Sequence, residues 1–169
     1  NQGGERIKGY VANEVIGSGF LSRLNTHLRE EKGWTYGVGS SISGVAGPVA
    51  LTVFTPVQSD RTADSIRLIL DDMAAFPAMR GVDETELQRV TEGNIRGLPN
   101  SFQTNGQVLG VLLENEHLGR PDDYYERLPE IYRAIDAGAI DAAARRYLQP
   151  ENLTIVVVGD RSQIDEQLA

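Results

Sequence analysis

Residues 17–37 constrain the fold most, because a helical pattern there runs directly into an extended one. Leu21, Leu24 and Leu28 are spaced i, i+3, i+7, which places them on one apolar face of a helix. The amphipathic pattern continues in both directions from these leucines. We therefore predict a helix over residues 7–31, followed at once by a strand.

Two glycines interrupt this predicted helix. Gly17 and Gly19 each lower the helix propensity by about 1 kcal/mol, so they favour either close packing or a break between two helices. A Gly-Ser-Gly run can also cradle a phosphate, but no lysine follows it and no strand precedes it. A packing role is therefore the favoured interpretation.

A tight corner is expected at the end of the helix. Charged residues occupy positions 29–32, and Gly33 can adopt the left-handed conformation that ends many helices. The residues beyond this glycine read as extended chain. The corner places Arg29 in the last helical turn and Tyr36 at the start of a strand, seven residues later.

The composition excludes several classes of function. A formal charge of −8 and a pI near 4.8 argue against nucleic-acid binding, which requires a cationic surface. No apolar run approaches the ~18 residues of a membrane helix, and the absence of cysteine excludes disulfides and thiolate metal ligands. The 169 residues suit a single domain, 1–169. Because they enter a helical pattern without a preceding strand, we expect a fragment of a longer chain.

Three extended segments are predicted. Residues 34–45 and 48–57 read as two strands joined by a turn at 44–48. Residues 153–158 form an apolar, β-branched run that is typical of a central strand. These segments form the predicted sheet.

The rest of the chain has helical patterns with recognisable starts. Ser59 and Asp136 are predicted to cap helices, and Asp83 with Glu86 forms a capping box. The nearly all-apolar run 108–113 predicts a buried helix. The order α-β-β-α-α-α-α-α-β lacks βαβ alternation. We therefore predict an α+β fold, with a mainly antiparallel sheet and helices packed on one face.

The corner resembles the signature of the non-catalytic half of the insulinase/pitrilysin family of zinc metallopeptidases, which includes the mitochondrial processing peptidases. Residues 22–25 and 28–36 match the pattern Ser-Arg-Leu-Asn-x-x-Leu-Arg-Glu-x-x-Gly-x-x-Tyr. A second match, Leu-x-Pro-x-Asn and then a strand ending in Gly-Asp, lies at 148–152 and 158–160. The resemblance spans about residues 10–160 and implies a C-terminal-type domain with the processing-peptidase-like metallohydrolase fold.

Zinc in the resembled family is held by H-x-x-E-H, two histidines one helical turn apart with a glutamate between them. This chain has only His27 and His117, and Glu31 stands where a second histidine would follow His27. The favoured interpretation places His27 on a charged helix surface and His117 at a helix end. The resemblance implies no zinc site in this fragment and a zinc ion in the partner half.

The resemblance also implies a role for the arginine and tyrosine of the corner. In the family, the second half supplies these two residue types at this spacing, and they project toward the substrate at the partner's zinc. Arg29 and Tyr36 would thus bind substrate and support the transition state of peptide hydrolysis. The simpler alternative pairs Arg29 with Glu30 and packs Tyr36 on the sheet.

The expected function is that of the non-catalytic, substrate-binding half of a zinc metalloendopeptidase that cleaves short or unfolded polypeptides. Its partners would be a zinc-binding homologous half, on the same chain or a separate subunit, and the peptide substrate; this fragment alone would be inactive. One alternative is a catalytically inactive structural or interaction domain of the same fold, like the core subunits of the respiratory bc1 complex. Another is a peptide-binding module that uses a strand edge. The composition suggests a bacterial source and leaves cytoplasm and periplasm open.

Overall fold

Helices form most of the structure. The computed structural model describes residues 2–43 and 50–168. None of the described helices combines the length and apolar character needed to cross a membrane. The α-helices are α1 (Gln2–Asn13), α2 (Arg23–Asn25), α3 (Thr62–Ala78), α4 (Glu84–Gly97), α5 (Asn105–Leu118), α6 (Tyr124–Arg133), α7 (Ala137–Tyr147) and α8 (Arg161–Leu168), with 3-10 turns at Ser59–Arg61, Leu98–Phe102 and Pro150–Asn152.

The helix predicted over residues 7–31 is two helices. Helix α1 begins at Gln2 and continues as a π-helical segment, Glu14–Ser18. After a short break, α2 begins and continues as a second π-helical segment, Thr26–Glu31. The break follows the glycine run directly, so one of the two interpretations of these glycines is confirmed.

Close packing is also observed at the first of these glycines, Gly17. A Cβ atom at Gly17 would lie 2.6 Å from Oγ of Ser40 and 3.2 Å from a methyl group of Leu24. The end of the first helix therefore rests directly on the sheet. Only glycine permits this approach, since a side chain would have to displace Ser40.

The sheet is smaller than predicted. Strands β1 (Gly39–Ile42) and β2 (Leu51–Phe54) pair antiparallel, and an isolated bridge between Thr35 and Val57 extends the pairing. These two strands form the whole sheet within residues 2–43 and 50–168, so the mainly antiparallel sheet predicted from sequence is wrong in extent. The predicted turn at 44–48 lies outside the described residues.

The segment 153–158 is not a strand in this structure, which corrects the prediction of a central strand. Its β-branched residues favour extended backbone, but a strand also needs a neighbour to share hydrogen bonds with. The amide of Leu153 bonds the carbonyl of Pro150 in a turn, and none of the described residues forms a backbone hydrogen bond with residues 154–158.

The core lies between the helices and one face of the sheet. Helix α1 packs along α7, and α3 closes the core from the side. The fully buried side chains at its centre are Val11, Val15, Ile16, Leu24, Leu28, Met73, Phe76 and Ile140.

Arg23 fastens the start of α2 to α4. Its guanidinium donates two hydrogen bonds to the carboxylate of Glu86, at 2.7 and 2.6 Å, and one to the carbonyl of Gly81 at 2.9 Å. The same group stacks on the ring of Phe76, 4.5 Å from its centre. This bidentate, largely buried pair fixes the direction in which α2 leaves the glycine break.

Helix α5 is exposed, whereas its apolar run predicted a buried helix. Leu109, Leu112 and Leu113 are each more than half exposed, and Val111 is buried. The helix packs mainly on the 3-10 turn that precedes it, so most of its circumference has no neighbour among the described residues. Apolar composition alone cannot tell a buried helix from an exposed apolar one.

Most of the predicted helix starts are confirmed. Asp83 and Glu86 form a reciprocal capping box, and the carboxylate of Asp136 accepts a hydrogen bond from the amide of Ala139. The Ser59 cap is wrong, because α3 begins three residues later, after a 3-10 turn.

We predict that Gly17→Ala lowers the free energy of unfolding by about 1–3 kcal/mol, because the added methyl group overpacks the contact with Ser40. Gly93→Ala is the matched control, since nothing lies within 4 Å of its Cβ position and alanine should stabilise the helix by up to ~1 kcal/mol. Urea unfolding of the two variants measures both effects. Equal stabilisation by both substitutions would contradict the packing role of Gly17.

Candidate functional site

The predicted corner is present. Gly33 has φ +64°, and its amide donates to the carbonyl of Arg29 at 3.2 Å. The amide of Trp34 reaches back to the carbonyl of Leu28 at 2.9 Å. These bonds satisfy the last carbonyls of the helix and turn the chain into its extended segment.

Asn25 holds the two sides of the corner together. Its Oδ1 accepts from the amide of Val38 at 2.9 Å, and its Nδ2 donates to the carbonyl of Val38 at 2.7 Å. The same Nδ2 lies 3.1 Å from the carbonyl of Gly19 and 3.2 Å from Oγ of Ser22. One buried amide group thus pairs with the extended chain as a neighbouring strand would.

The backbone around Tyr36 is firmly held, although its side chain is free. Thr35 Oγ1 donates to the carbonyl of Gly37 at 3.0 Å and accepts from the Gly37 amide at 3.1 Å. Thr55 Oγ1 donates to the Gly37 carbonyl at 3.1 Å. The tyrosine between these anchors is 97% exposed, so it does not pack on the sheet. It is presented on rigid backbone.

Arg29 lies in the last turn before the corner, as predicted, and its side chain is 31% exposed. Its guanidinium stacks on the exposed ring of Phe20, 4.2 Å from the ring centre. Nη1 lies 2.9 Å from a carboxylate oxygen of Glu30 but outside hydrogen-bond geometry, and no described atom accepts a hydrogen bond from it. The arginine is therefore oriented by an aromatic ring and keeps unused donor capacity.

His27 is more constrained than the surface position predicted for it. Its Nδ1 lies 2.6 Å from Oδ2 of Asp72, a buried carboxylate that Arg80 also contacts at 3.1 Å. Its other ring nitrogen is 3.9 Å from Glu31. The histidine is thus a structural hydrogen-bond partner between the corner and α3. His117 is exposed in the last turn of α5, which agrees with its predicted position.

The residues around His27 do not fit a zinc centre. One ring nitrogen is already engaged by Asp72, and the nearest further carboxylate lies beyond ligand distance of the other. Across the described part of the chain, no three His, Cys, Asp or Glu side chains converge on one point.

A cavity of about 420 Å³ opens beside the glycine break, lined in part by Phe20, Leu21 and Glu14. Burial raises the pKa of the Glu14 carboxyl, although Asn94 Nδ2 donates to both of its oxygens at 3.0–3.1 Å. Burial likewise raises the pKa of Tyr132 to about 12, and the Glu14 charge adds to this rise. The cavity therefore combines exposed apolar side chains with a carboxyl group that resists ionisation.

Comparison with known proteins shows to which family this fold belongs. The model of the family described as the peptidase M16 inactive domain matches residues 2–94, more than half of the chain. The chain belongs to this family. The resemblance drawn from the corner signature to the non-catalytic half of the insulinase/pitrilysin metallopeptidases is thereby confirmed. In this family of zinc proteases the zinc ion belongs to the partner half, and the M16 inactive domain contributes no ligand set.

Relatives and solved structures agree with this assignment. An uncharacterised zinc protease of Mycobacterium leprae is 31% identical over 129 residues, which cover 75% of this chain and 26% of the relative. The crystal structure of a peptidase M16 inactive domain from Pseudomonas fluorescens superposes with a TM-score of 0.77, at 20% identity over 86% of this chain and 35% of that one.

The periplasmic protease PqqL of Escherichia coli superposes with a TM-score of 0.69, at 17% identity over 86% of this chain and 16% of its own. The 129 matched residues span about a quarter of the length of the curated relative from M. leprae.

Two residues that organise this M16 site were not identified from sequence. Asn25 was part of the recognised signature, but its pairing with Val38 depends on a fold that brings the two together. Phe20 precedes the helix and gave no periodic signal. An exposed aromatic residue nine positions before a candidate arginine is a weak clue, and only the structure shows their stacking.

We predict that Asn25→Ala lowers the free energy of unfolding by roughly 2–4 kcal/mol, because it leaves the buried amide and carbonyl of Val38 without partners. Asn152→Ala is the control: this exposed asparagine bonds only Gln149, and the loss should stay below about 0.5 kcal/mol. Chemical denaturation measures both, and equal losses would show that Asn25 does not hold the corner.

We also predict a pH-dependent contribution from Glu14. Its raised pKa means that the folded protein holds this proton more tightly than the unfolded chain, so its contribution to stability falls as pH rises above the ordinary carboxyl pKa of 4.5. Glu14→Gln lacks this titration. The stability of the wild type relative to the variant should therefore decline between acidic and neutral pH in urea unfolding. A difference that is constant with pH would contradict the burial of an ionisable carboxyl.

Proposed function

We propose that this domain is the substrate-binding half of a zinc metalloendopeptidase that cleaves short or unfolded polypeptides. A homologous zinc-binding half, on the same chain or on a second subunit, would supply the metal and the hydrolytic chemistry. Family membership and the zinc-protease names of the relatives support the peptidase assignment. The role of each residue rests on the geometry of the corner.

The free side chain of Tyr36 on a constrained backbone is the observation that carries the proposal. An aromatic residue exposed to 97% gains nothing from the packing of its own domain. Its neighbours Thr35 and Gly37 are nevertheless tied down by hydrogen bonds. A rigid base with a free phenol suits a group that must meet a ligand at a defined position.

Arg29 complements this phenol. Its stacking on Phe20 limits the rotation of the guanidinium and leaves hydrogen-bond donors unused. Planar guanidinium donors and a phenol hydroxyl both suit a peptide carbonyl, and both interact more strongly with the oxyanion that forms when this carbonyl is attacked. We infer that Arg29 and Tyr36 hold the substrate carbonyl and stabilise its developing charge, while the partner half performs the attack.

The test is peptide hydrolysis by the full-length protein and its Arg29→Ala and Tyr36→Phe variants. We expect each to lower kcat/KM by about 10- to 1000-fold, the range for loss of one oxyanion donor or substrate clamp. Zinc content and Tm should not change, because both side chains lie outside the core. Arg67→Ala, which removes an exposed arginine paired with Asp64, is the matched control and should retain normal turnover.

Two outcomes would contradict the proposal. Normal turnover in both variants would remove Arg29 and Tyr36 from the reaction. A wild-type protein with neither zinc nor turnover would favour the alternative of a catalytically inactive structural domain with the same fold.

A further inference from the structure

The cavity beside the glycine break is bordered on its other side by α4. Two pairs of residues one turn apart, Arg89 with Gly93 and Val90 with Asn94, bring one face of this helix to the cavity wall. The volume of about 420 Å³ is in the range of small-molecule sites. None of the residues proposed to contact a peptide substrate lines this cavity.

Glu14 gives the cavity a negative end. Both of its carboxylate oxygens accept from a single donor, Nδ2 of Asn94, at 3.0–3.1 Å, and no other residue in the described chain bonds them. Two carboxylate oxygens can accept about four hydrogen bonds, so the group keeps acceptor capacity beside open space. Because burial penalises its charged form and raises its pKa, a cationic donor is the partner that would best stabilise the ionised carboxylate.

Arg89 gives the same cavity a positive group. Its guanidinium forms no hydrogen bond or ion pair with residues 2–43 or 50–168, so it does not pair with Glu14. Arg89 precedes Asn94, the partner of Glu14, by five positions on α4. Five positions correspond to about 7.5 Å along the helix axis. A planar guanidinium can bind a carboxylate through two parallel hydrogen bonds. The cavity thus presents separate partners for an ammonium and for a carboxylate.

Apolar side chains complete the lining. Phe20 and Leu21 are 68% and 59% exposed, and Val90 is buried on the α4 side. Large exposed apolar side chains beside a polar cavity are stabilised when an apolar group covers them and removes their surface from water. An occupant that carries a hydrophobic side chain is therefore favoured over a purely ionic one.

We propose that this cavity binds a free α-amino acid with an apolar side chain. The ammonium donates to Glu14, the carboxylate accepts from Arg89, and the side chain packs on Phe20. The two charged groups of an α-amino acid share one carbon atom, so with a hydrogen bond at each end they span roughly 8–9 Å. That span is on the scale set by the five positions of α4. A ligand with one charge leaves the other end unpaired, and the termini of all but the shortest peptides lie too far apart. This inference does not depend on the proposed roles of Arg29 and Tyr36.

Ligand-observed NMR titration of the full-length protein tests the recognition of both charges. The ligands are L-leucine, N-acetyl-L-leucine, which lacks the ammonium, and L-leucinamide, which lacks the carboxylate. At about pH 6.5, below the α-amino pKa of ~7.7–8.0, the amide keeps its positive charge. We expect L-leucine to bind about 10-fold or more tightly than either analogue. An analogue that binds as tightly as L-leucine, or no binding of L-leucine, would overturn the proposal.

Two variants assign each charge of the ligand to its partner. Glu14→Gln keeps an acceptor for Asn94 and removes the negative charge, so it should bind L-leucine no better than N-acetyl-L-leucine. Arg89→Gln should likewise remove the preference for L-leucine over L-leucinamide. A loss of folding would weaken all three ligands alike, so these reciprocal patterns separate recognition from stability. An unchanged preference in either variant would contradict the assignment of the two charges and overturn the proposal.

Gly93→Leu blocks the cavity without changing either charge. No atom lies within 4 Å of its Cβ position, so the new side chain has room to enter the cavity that Gly93 lines. Gly97→Leu is the matched control, because it adds the same side chain one turn later on α4, also into open space, but outside the lining. We expect Gly93→Leu to abolish detectable binding of L-leucine and Gly97→Leu to leave it unchanged, with similar Tm values. Equal affinity in the two variants would place the ligand elsewhere and overturn the proposal.

Discussion

The pairing of Asn25 with the backbone of Val38 is the interaction on which the site depends. A helix that turns directly into an extended segment leaves amides and carbonyls without regular partners on the inside of the corner. Asn25 supplies both a donor and an acceptor there, and it also reaches the break before α2. Because the amide is buried, these bonds are costly to lose and hold the corner in one conformation.

The surrounding contacts extend this constraint in two directions. Arg23 anchors the same helix to Glu86 at the start of α4, and His27 anchors it to Asp72 on α3. Both pairs lie on the inner side of the helix. Phe20, Arg29 and Tyr36 carry exposed or partly exposed side chains at the same corner, so rigidity and exposure occur together there.

The sheet shows the opposite situation, in which local preference is present and partners are missing. Residues 51–54 are paired on one edge only, and residues 154–158 have no backbone hydrogen-bond partner in the described chain. Both segments have strand-forming composition. The sequence pattern therefore predicted more sheet than these residues contain, because a propensity belongs to a segment whereas a sheet is formed between segments. The apolar pattern of α5 gave a wrong prediction of burial for a related reason. A sequence pattern does not show whether another element covers the helix.

From the sequence alone, the helix starts at Asp83 and Asp136, the corner at Gly33 and the family of the chain could be established, because each depends on residues close together along the chain. The positions of Arg29 and Tyr36 on either side of the corner followed in the same way. Only the tertiary structure decided that Asn25 bonds Val38 and that Phe20 stacks on Arg29. It also decided that residues 51–57 face 153–158 across a groove. These contacts depend on where distant or irregular segments meet, and the packing of the whole domain determines that.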